Sequence, residues 1–212
     1  MSGRVRLLLA ACGWLCAAAC QAAPDFAAER ASADARYAAA WVLAGADNQS
    51  LPFAVVDKRE ARIYVFQAAG RLIGASPVLL GLTPGDFPVG DMTGRVPASL
   101  TPAERTTPAG RFASEPGRND KGEETVWIDY AASLAIHRLR PAHPLERRPE
   151  RMASPTPDDN RISAGCIIVP VAFYETVVAP TLGNGRGMVY VLPESRSVRS
   201  MFGALELSLL VD

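Results

Sequence analysis

The stretch that decides the fold runs from Phe53 to Gly81 and reads FAVVDKREARIYVFQAAGRLIGASPVLLG. It contains three short runs rich in β-branched and aromatic residues, separated by the turn-like segments DKRE and QAAG. Short apolar runs bounded by such turns are typical of neighbouring β-strands. The sequence therefore predicts that the folded domain opens with a strand meander.

The rest of the chain continues this pattern with few helical interruptions. Further strands are predicted in TVWIDY, SLAIHRL and GMVYVLPE, and a helix over residues 170–178 begins with a proline in its first turn. Two long segments rich in polar residues and proline, 85–110 and 140–161, are predicted to be loops, and loops of this length are often functional. This order of elements predicts a mostly-β fold with few short helices.

The segment before the meander, residues 24–50, is rich in alanine and carries Tyr37, Trp41 and Val42 at helical spacing. We expect a short N-terminal helix of three to four turns that ends near Gly45 and uses the aromatic stripe for packing. At the other end, the apolar spacing of the tail, residues 195–212, fits either a helix or a strand. Residues 51–194 are then the expected main folded domain.

The first residues predict export. Arg4 and Arg6 precede a 14-residue apolar segment, Leu7 to Cys20, and small residues follow it, with cleavage expected after Ala22 or Ala23. This pattern, over residues 1–23, is typical of a signal peptide and predicts a secreted, periplasmic protein without a transmembrane span. An uncleaved anchor and a lipoprotein attached through Cys20 are the alternatives.

Composition narrows the class of partner. The chain has 212 residues, enough for one domain, and balances 22 basic against 22 acidic residues. Such a balance argues against nucleic acid or an anionic membrane as the main partner.

Cysteine usage points to one reactive residue. Three of the four cysteines fall within the predicted signal peptide, so the mature chain keeps Cys166 alone. A single cysteine in an oxidising compartment favours a reactive thiol or an intermolecular disulfide, and the alternative is a buried apolar side chain. With one mature cysteine and two histidines, no structural zinc site is expected, and the sequence contains no Walker-type phosphate loop and no G-x-G-x-x-G motif.

The remaining candidate for a reactive site is a pair formed by Cys166 and a histidine. His137 ends a predicted strand, and an imidazole near Cys166 would lower the pKa of the thiol and accept its proton. We expect Cys166 to lie just before a helix, whose N-terminus and nearby N–H groups would stabilise a thiolate or oxyanion. Gly165 would allow close approach of substrate, Ser163 would fix the loop or hold the substrate, and Arg161 would bind a substrate carboxylate.

Three motifs in order resemble the L,D-transpeptidase (YkuD-type) catalytic domain family. ISAGCIIVP resembles its S-x-G-C signature, RTTPAGRF resembles its T-P-x-G-x-F segment, and LAIHRL occupies the place of its strand-borne histidine. The resemblance covers about Leu51 to Pro193. It implies a β-sandwich-like domain with a catalytic cleft that acts on peptidoglycan stem peptides without metal or cofactor.

The resemblance also implies roles. Cys166 would attack the carbonyl that precedes a terminal D-alanine, His137 would be the general base, and backbone amides around Gly165 would hold the oxyanion. The acyl group would pass to an amine of a second stem peptide or of a lipoprotein. The chain departs from the family at Ala164, where histidine is usual, and at Ile168, where arginine is common; Arg161 or Arg138 is the expected substitute for that arginine.

Two alternatives stay open from sequence alone. Water as the acceptor would make the protein a carboxypeptidase, since the cleft chemistry is the same. A cell-wall-binding module that kept the fold and lost turnover would also fit the departures at Ala164 and Ile168. A redox role is disfavoured because no second cysteine is available to resolve a disulfide.

Overall fold

The computed structural model describes residues 23–87 and 95–203. Residues 1–22 of the predicted signal peptide and the last nine residues of the tail lie outside the described residues.

Ten strands dominate the described chain, which confirms the mostly-β prediction. Eight of them form one sheet in the order β3-β2-β1-β10-β5-β6-β7-β9, and β4 and β8 form a separate parallel pair. The strands are β1 (Phe53–Asp57), β2 (Arg62–Phe66), β3 (Leu72–Pro77), β4 (Leu80–Gly81), β5 (Gly110–Arg118), β6 (Glu124–Asp129), β7 (Leu134–Arg138), β8 (Arg161–Ser163), β9 (Ile167–Val169) and β10 (Gly187–Val191).

The large sheet curls until its two ends are bridged. Beyond β3, Leu79 pairs with Ile168 of β9 through two backbone hydrogen bonds of 2.8 and 2.9 Å. The result is nearly a barrel. Its interior is filled by branched aliphatic side chains, which include Val56, Ile63, Val65, Val126, Ile136, Ile167 and Val189.

The predicted N-terminal helix is present and packs on the outer face of the sheet. Helix α1 (Ala33–Ala44) begins with Ser32, whose side chain accepts a hydrogen bond from the Ala35 N–H at 2.9 Å, and ends at Gly45. Its buried alanines and Val42 contact aromatic residues of the first two strands. Burial of small alanine side chains lets the helix lie close to the sheet.

The structure differs in part from three local predictions. Strand β5 was not expected, because Gly110, Pro116 and Gly117 in that run are residues that strands usually avoid. The segment 140–161 is not a plain loop, since it forms helix α2 (Arg148–Ala153) and two 3₁₀ turns. The helix predicted over 170–178 is present but runs further, as α3 (Val171–Phe173), a π-helical turn (Tyr174–Val178) and α4 (Ala179–Leu182).

The tail, which the sequence left undecided, begins with a short helix. Helix α5 (Val198–Phe202) is capped by the Ser197 side chain and contacts α1 through the tilted ring pair of Trp41 and Phe202, whose centroids lie 5.3 Å apart. The tail therefore contributes to the same outer core as α1.

Candidate active site

Cys166 and His137 lie on the same face of two neighbouring parallel strands. Strands β7 and β9 pair with His137 opposite Ile168, and Cys166 precedes Ile168 by two residues. Because side chains alternate along a strand, Cys166, Ile168 and His137 share one face, while Ile167 faces the barrel interior. Strand spacing and rise put the two Cα atoms roughly 8 Å apart, which these side chains can span.

The imidazole of His137 is buried and held in one tautomer. Its Nδ1 lies 2.8 Å from the Arg138 carbonyl oxygen. A carbonyl can only accept, so Nδ1 carries the proton and donates it, and Nε2 is left as the free base.

Burial lowers the pKa of His137 to about 4, although the hydrogen bond to the Arg138 carbonyl opposes that shift. The charges of Arg140 and Arg148 lower the pKa further. The imidazole is therefore neutral at pH 7 and able to accept a proton.

Cys166 is a free cysteine, and the residue as a whole is partly buried. Burial raises the pKa of the Cys166 thiol, and the N–H of Ala135 and the charge of Arg140 lower it only in part. Its Sγ donates to the Ser133 carbonyl oxygen at 3.4 Å, and among the described residues no hydrogen bond joins it to the imidazole. The resting site thus holds a neutral thiol beside a neutral base.

The structure corrects the surroundings expected for the thiol. Cys166 does not lie at a helix N-terminus, because β9 follows it and the helix begins only at Val171. The run Ile167–Val169 is β-branched and buried, and tertiary pairing with β7 makes it a strand. Any stabilisation of a thiolate must come from backbone N–H groups and Arg140, not from a helix dipole.

A tight turn fixes the residues before the cysteine. The Ser163 Oγ donates to the Cys166 carbonyl at 2.7 Å and accepts from the Gly165 N–H at 3.0 Å. Ser163 therefore holds the loop, one of the two roles expected for it. The same bond occupies the Gly165 N–H, so this amide, which was expected to help hold an oxyanion, already has a partner within the turn.

Gly165 is required by the backbone itself. Its φ is +139°, a region that residues with a Cβ rarely adopt, and an added Cβ would lie 2.9 Å from the Thr106 carbonyl oxygen. The glycine lets the segment that carries Thr106 pack directly behind the turn that carries Cys166.

Thr107 is a functional position that sequence reasoning did not single out. Its Oγ1 donates to the Gly165 carbonyl at 2.7 Å and accepts from the Gly81 N–H at 2.9 Å. The segment RTTPAGRF was noted as a motif, so its two threonines, Thr106 and Thr107, were the available signal. The motif thus braces the turn that carries Cys166.

Arg161 does not face a substrate site. Its guanidinium pairs with Glu194 and donates to the Lys58 carbonyl at 2.9 Å, and its side chain is buried. Lys58, fully buried, also lies 3.1 Å from Glu194 and 3.0 Å from Asp86. The arginine is therefore part of an internal ion cluster, which the sequence could not show because its members are far apart in the chain.

Arg138 contributes its carbonyl, not its side chain, to the site. Alternation along β7 directs its side chain to the face opposite His137, where the guanidinium carbon lies 5.9 Å from the centre of the Tyr174 ring. The arginine whose charge lowers the pKa of both His137 and Cys166 is Arg140. Its Nε lies 2.9 Å from Glu123, which orients it.

Within residues 23–87 and 95–203, no group of three or more histidine, cysteine or acidic side chains is arranged to hold a metal ion. Across the same residues, no helix has the length and apolar character needed to cross a bilayer.

No protein-family model matches the sequence. No curated protein matches it. Solved structures do match, at low identity: the L,D-transpeptidase from Xylanimonas cellulosilytica at 15% identity and TM-score 0.42, over 67% of this chain and 60% of that one. The catalytic domain of the E. faecium L,D-transpeptidase matches at 16% identity and TM-score 0.39, over 68% of this chain and 98% of that one.

A third match is the helical cell shape determining protein from Campylobacter jejuni, at 13% identity and TM-score 0.40, over 69% of this chain and 49% of that one. This chain therefore spans about half to three-fifths of the length of two of these proteins. A likeness of this size carries no functional argument, so the function must be argued from the site itself.

Proposed function

We propose that this chain is an exported cysteine acyltransferase of the L,D-transpeptidase type, acting on peptidoglycan stem peptides. One observation carries the proposal: the Arg138 carbonyl fixes the Nδ1–H tautomer of His137, which leaves Nε2 free on the face that presents Cys166. A neutral base with an oriented lone pair beside a single thiol is the arrangement that nucleophilic catalysis requires.

The reaction proceeds from the neutral pair. Cys166 loses its thiol proton to Nε2 of His137 as its sulfur bonds to the carbonyl carbon that precedes a terminal D-alanine. The oxyanion is stabilised by nearby N–H groups, and His137 returns the proton to the leaving amine as the C–N bond breaks. The thioester that remains is attacked by an amine of a second stem peptide or a lipoprotein, or by water in a carboxypeptidase.

The test is the intact mass of the protein after incubation with a carbapenem, an acylating mimic of the donor. We expect one drug mass to add to the wild-type chain and none to add to Cys166→Ser. Addition to both proteins would show that a residue other than Cys166 is the nucleophile.

A second candidate function, a cell-wall-binding module without turnover, is favoured by a specific observation. Burial raises the pKa of the Cys166 thiol, and its proton is directed at the Ser133 carbonyl instead of at His137. In this account the thiol is an inert buried group. Absence of a carbapenem adduct, together with retained binding to purified peptidoglycan by Cys166→Ser and wild type alike, would favour the module.

A further inference from the structure

Trp127 lies in one row with Cys166 across three neighbouring strands. Strand β6 pairs Trp127 with Ala135 of β7, and the register of β7 with β9 places Cys166 on the other side of the same alanine. The residues on either side of Trp127 in the chain face the barrel interior, so the indole lies on the outer face that also carries the thiol. Two strand spacings separate the Cα atoms of Trp127 and Cys166 by roughly 10 Å.

Tyr130 adds a second ring beside Trp127. The two rings meet edge to face, with centroids 5.0 Å apart and an angle of 73° between their planes. Tyr130 is 76% exposed, although it lies in the same turn as Ser133, whose carbonyl oxygen accepts the Cys166 thiol proton. An exposed aromatic pair therefore lies next to the turn that contacts Cys166, and the reaction described above does not use it.

Gly117 of β5 leaves the space that the indole occupies. A Cβ added to this glycine would lie 2.5 Å from Cδ1 of Trp127 and 2.7 Å from its Nε1. One edge of the indole thus lies against the backbone of β5, which holds the ring in place before a ligand arrives. A ring held in this way loses little conformational entropy when a ligand packs on it.

The polar atoms of the aromatic pair have no partner within the described part of the chain. No hydrogen bond there involves the indole N–H of Trp127 or the hydroxyl of Tyr130, and no cationic side chain there lies over either ring. Carboxylates are close in the sheet: Glu115 is the cross-strand neighbour of Trp127 on β5, and Asp129 follows Trp127 by two residues. The surface combines apolar ring faces with hydrogen-bond donors and acceptors.

This combination fits a sugar ring better than an ammonium group or an aliphatic side chain. A pyranose has an apolar C–H face that packs on an aromatic ring, and its hydroxyl and acetamido groups both donate and accept hydrogen bonds. An ammonium group can only donate, so it cannot accept from the indole N–H. An aliphatic side chain would leave the indole N–H and the tyrosine hydroxyl without partners.

The distance from Cys166 matches the position of a sugar on the donor. A stem peptide is joined through its first residue to an N-acetylated sugar of the glycan strand. In a tetrapeptide that ends in D-alanine, the third residue carries the attacked carbonyl, and three extended residues span roughly 10 Å. We propose that Trp127 and Tyr130 form a subsite for the N-acetylated sugar that carries the donor stem peptide. The proposal rests on the proposed function for its donor.

The experiment uses the full chain carrying Cys166→Ser, so that binding is read without turnover. The probe is a tetrapeptide that ends in D-alanine and carries N-acetylmuramic acid on its first residue. Its twin carries only the lactyl group of that sugar, so the two ligands have the same peptide and the same charge. The indole N–H resonance of Trp127 reports the location, because the chain has three tryptophans and Trp127→Phe identifies the resonance.

We expect the sugar-bearing probe to shift the indole resonance of Trp127 and to bind about fivefold to tenfold more tightly than its twin. Tyr130→Ala should reduce its affinity to that of the twin, and Tyr130→Phe, which keeps the ring, should retain most of the difference. Phe87→Ala removes a ring of nearly the same exposure, 73%, in the loop after β4, and should change nothing. n-Butylamine at the same concentration should not displace the probe.

Equal affinity for the probe and its twin, an unchanged affinity in Tyr130→Ala, or displacement by n-butylamine would each overturn the proposal. Carbapenem acylation of the wild type reads the proposed function separately. A sugar-dependent affinity without acylation would support the subsite and contradict the transferase. Acylation without a difference between the two ligands would support the transferase and contradict the subsite.

Discussion

The hydroxyl of Thr107 donates a hydrogen bond to the carbonyl oxygen of Gly165 at 2.7 Å, across 58 residues of sequence. This bond joins the loop before β5 to the turn that presents Cys166. On its other side Thr107 offers its own carbonyl to the buried ammonium of Lys58, at 2.9 Å. The turn that carries Cys166 is therefore braced from behind by the buried ion cluster around Lys58.

Thr107→Val should destabilise the protein. Valine has nearly the shape of threonine but leaves the Gly165 carbonyl and the Gly81 N–H without their partner in a buried site. We expect a loss of about 1–3 kcal/mol in the free energy of unfolding, measured by urea denaturation. The matched control is Thr176→Val, an exposed helical threonine, which should change the free energy by no more than about 0.5 kcal/mol. An equal loss in the free energy of unfolding for the two substitutions would contradict the bracing role of Thr107.

Gly165→Ala should impair both folding and acylation. The new Cβ would meet the Thr106 carbonyl at 2.9 Å and would force alanine to hold a φ of +139°. We expect a cost of about 1–3 kcal/mol and a reduced rate of carbapenem acylation. Gly185→Ala is the control, since no atom lies within 4 Å of its added Cβ. An acylation rate unchanged in Gly165→Ala would contradict the requirement for glycine at this turn.

Lys58→Met should be among the most harmful single substitutions. It leaves Asp86 and Glu194 without the buried ammonium that both contact at about 3 Å. Removal of one partner from a buried ion pair typically costs about 3–5 kcal/mol. The chain has one other lysine, Lys121, which is exposed, and Lys121→Met is the control for charge removal. Similar unfolding midpoints for the two variants would contradict the role of the cluster.

The features that the sequence predicted depend on patterns among neighbouring residues, and the features that it missed depend on contacts between residues far apart in the chain. Short-range patterns predicted the strands around Phe53 to Gly81 and the first helix, because alternation, turns and caps are encoded within a few neighbouring residues. Long-range pairing was not predictable: only the parallel register of β7 with β9 brings His137 and Cys166 to one face.

The errors follow from the same cause. The apolar run after Cys166 was taken as the approach to a helix, although its β-branched residues form a strand once β7 is beside it. Arg161 was expected to bind substrate, but it pairs with Lys58 and Glu194, which lie 103 and 33 residues away. No pattern near Arg161 in the sequence reveals these partners. Thr107 lay inside a recognised motif, but its role depends on contacts with two distant turns.

The pH dependence of acylation follows from the two pKa shifts. Burial lowers the pKa of His137 to about 4, so the neutral base is present at all pH values above that range. Burial raises the pKa of the Cys166 thiol, so the neutral thiol persists through neutral pH. We expect the carbapenem acylation rate to fall only as pH drops towards about 4 and to be level between about 5 and 8.

Alkylation by iodoacetamide gives the complementary measurement, because it requires the thiolate without help from the site. Its rate should rise steadily with pH up to and beyond about 8.5. A rate that is already maximal at pH 6 would mean a thiolate–imidazolium pair in the resting protein, contrary to the structure.

The central claim, that Cys166 is an acyl-accepting nucleophile with His137 as its base, is tested most directly by release of D-alanine from a synthetic stem tetrapeptide. The account predicts continuous release by the wild type, none above background by Cys166→Ser, and a rate lower by about 10²–10⁴-fold for His137→Gln. No release by the folded wild type, or equal release by the wild type and Cys166→Ser, would contradict it.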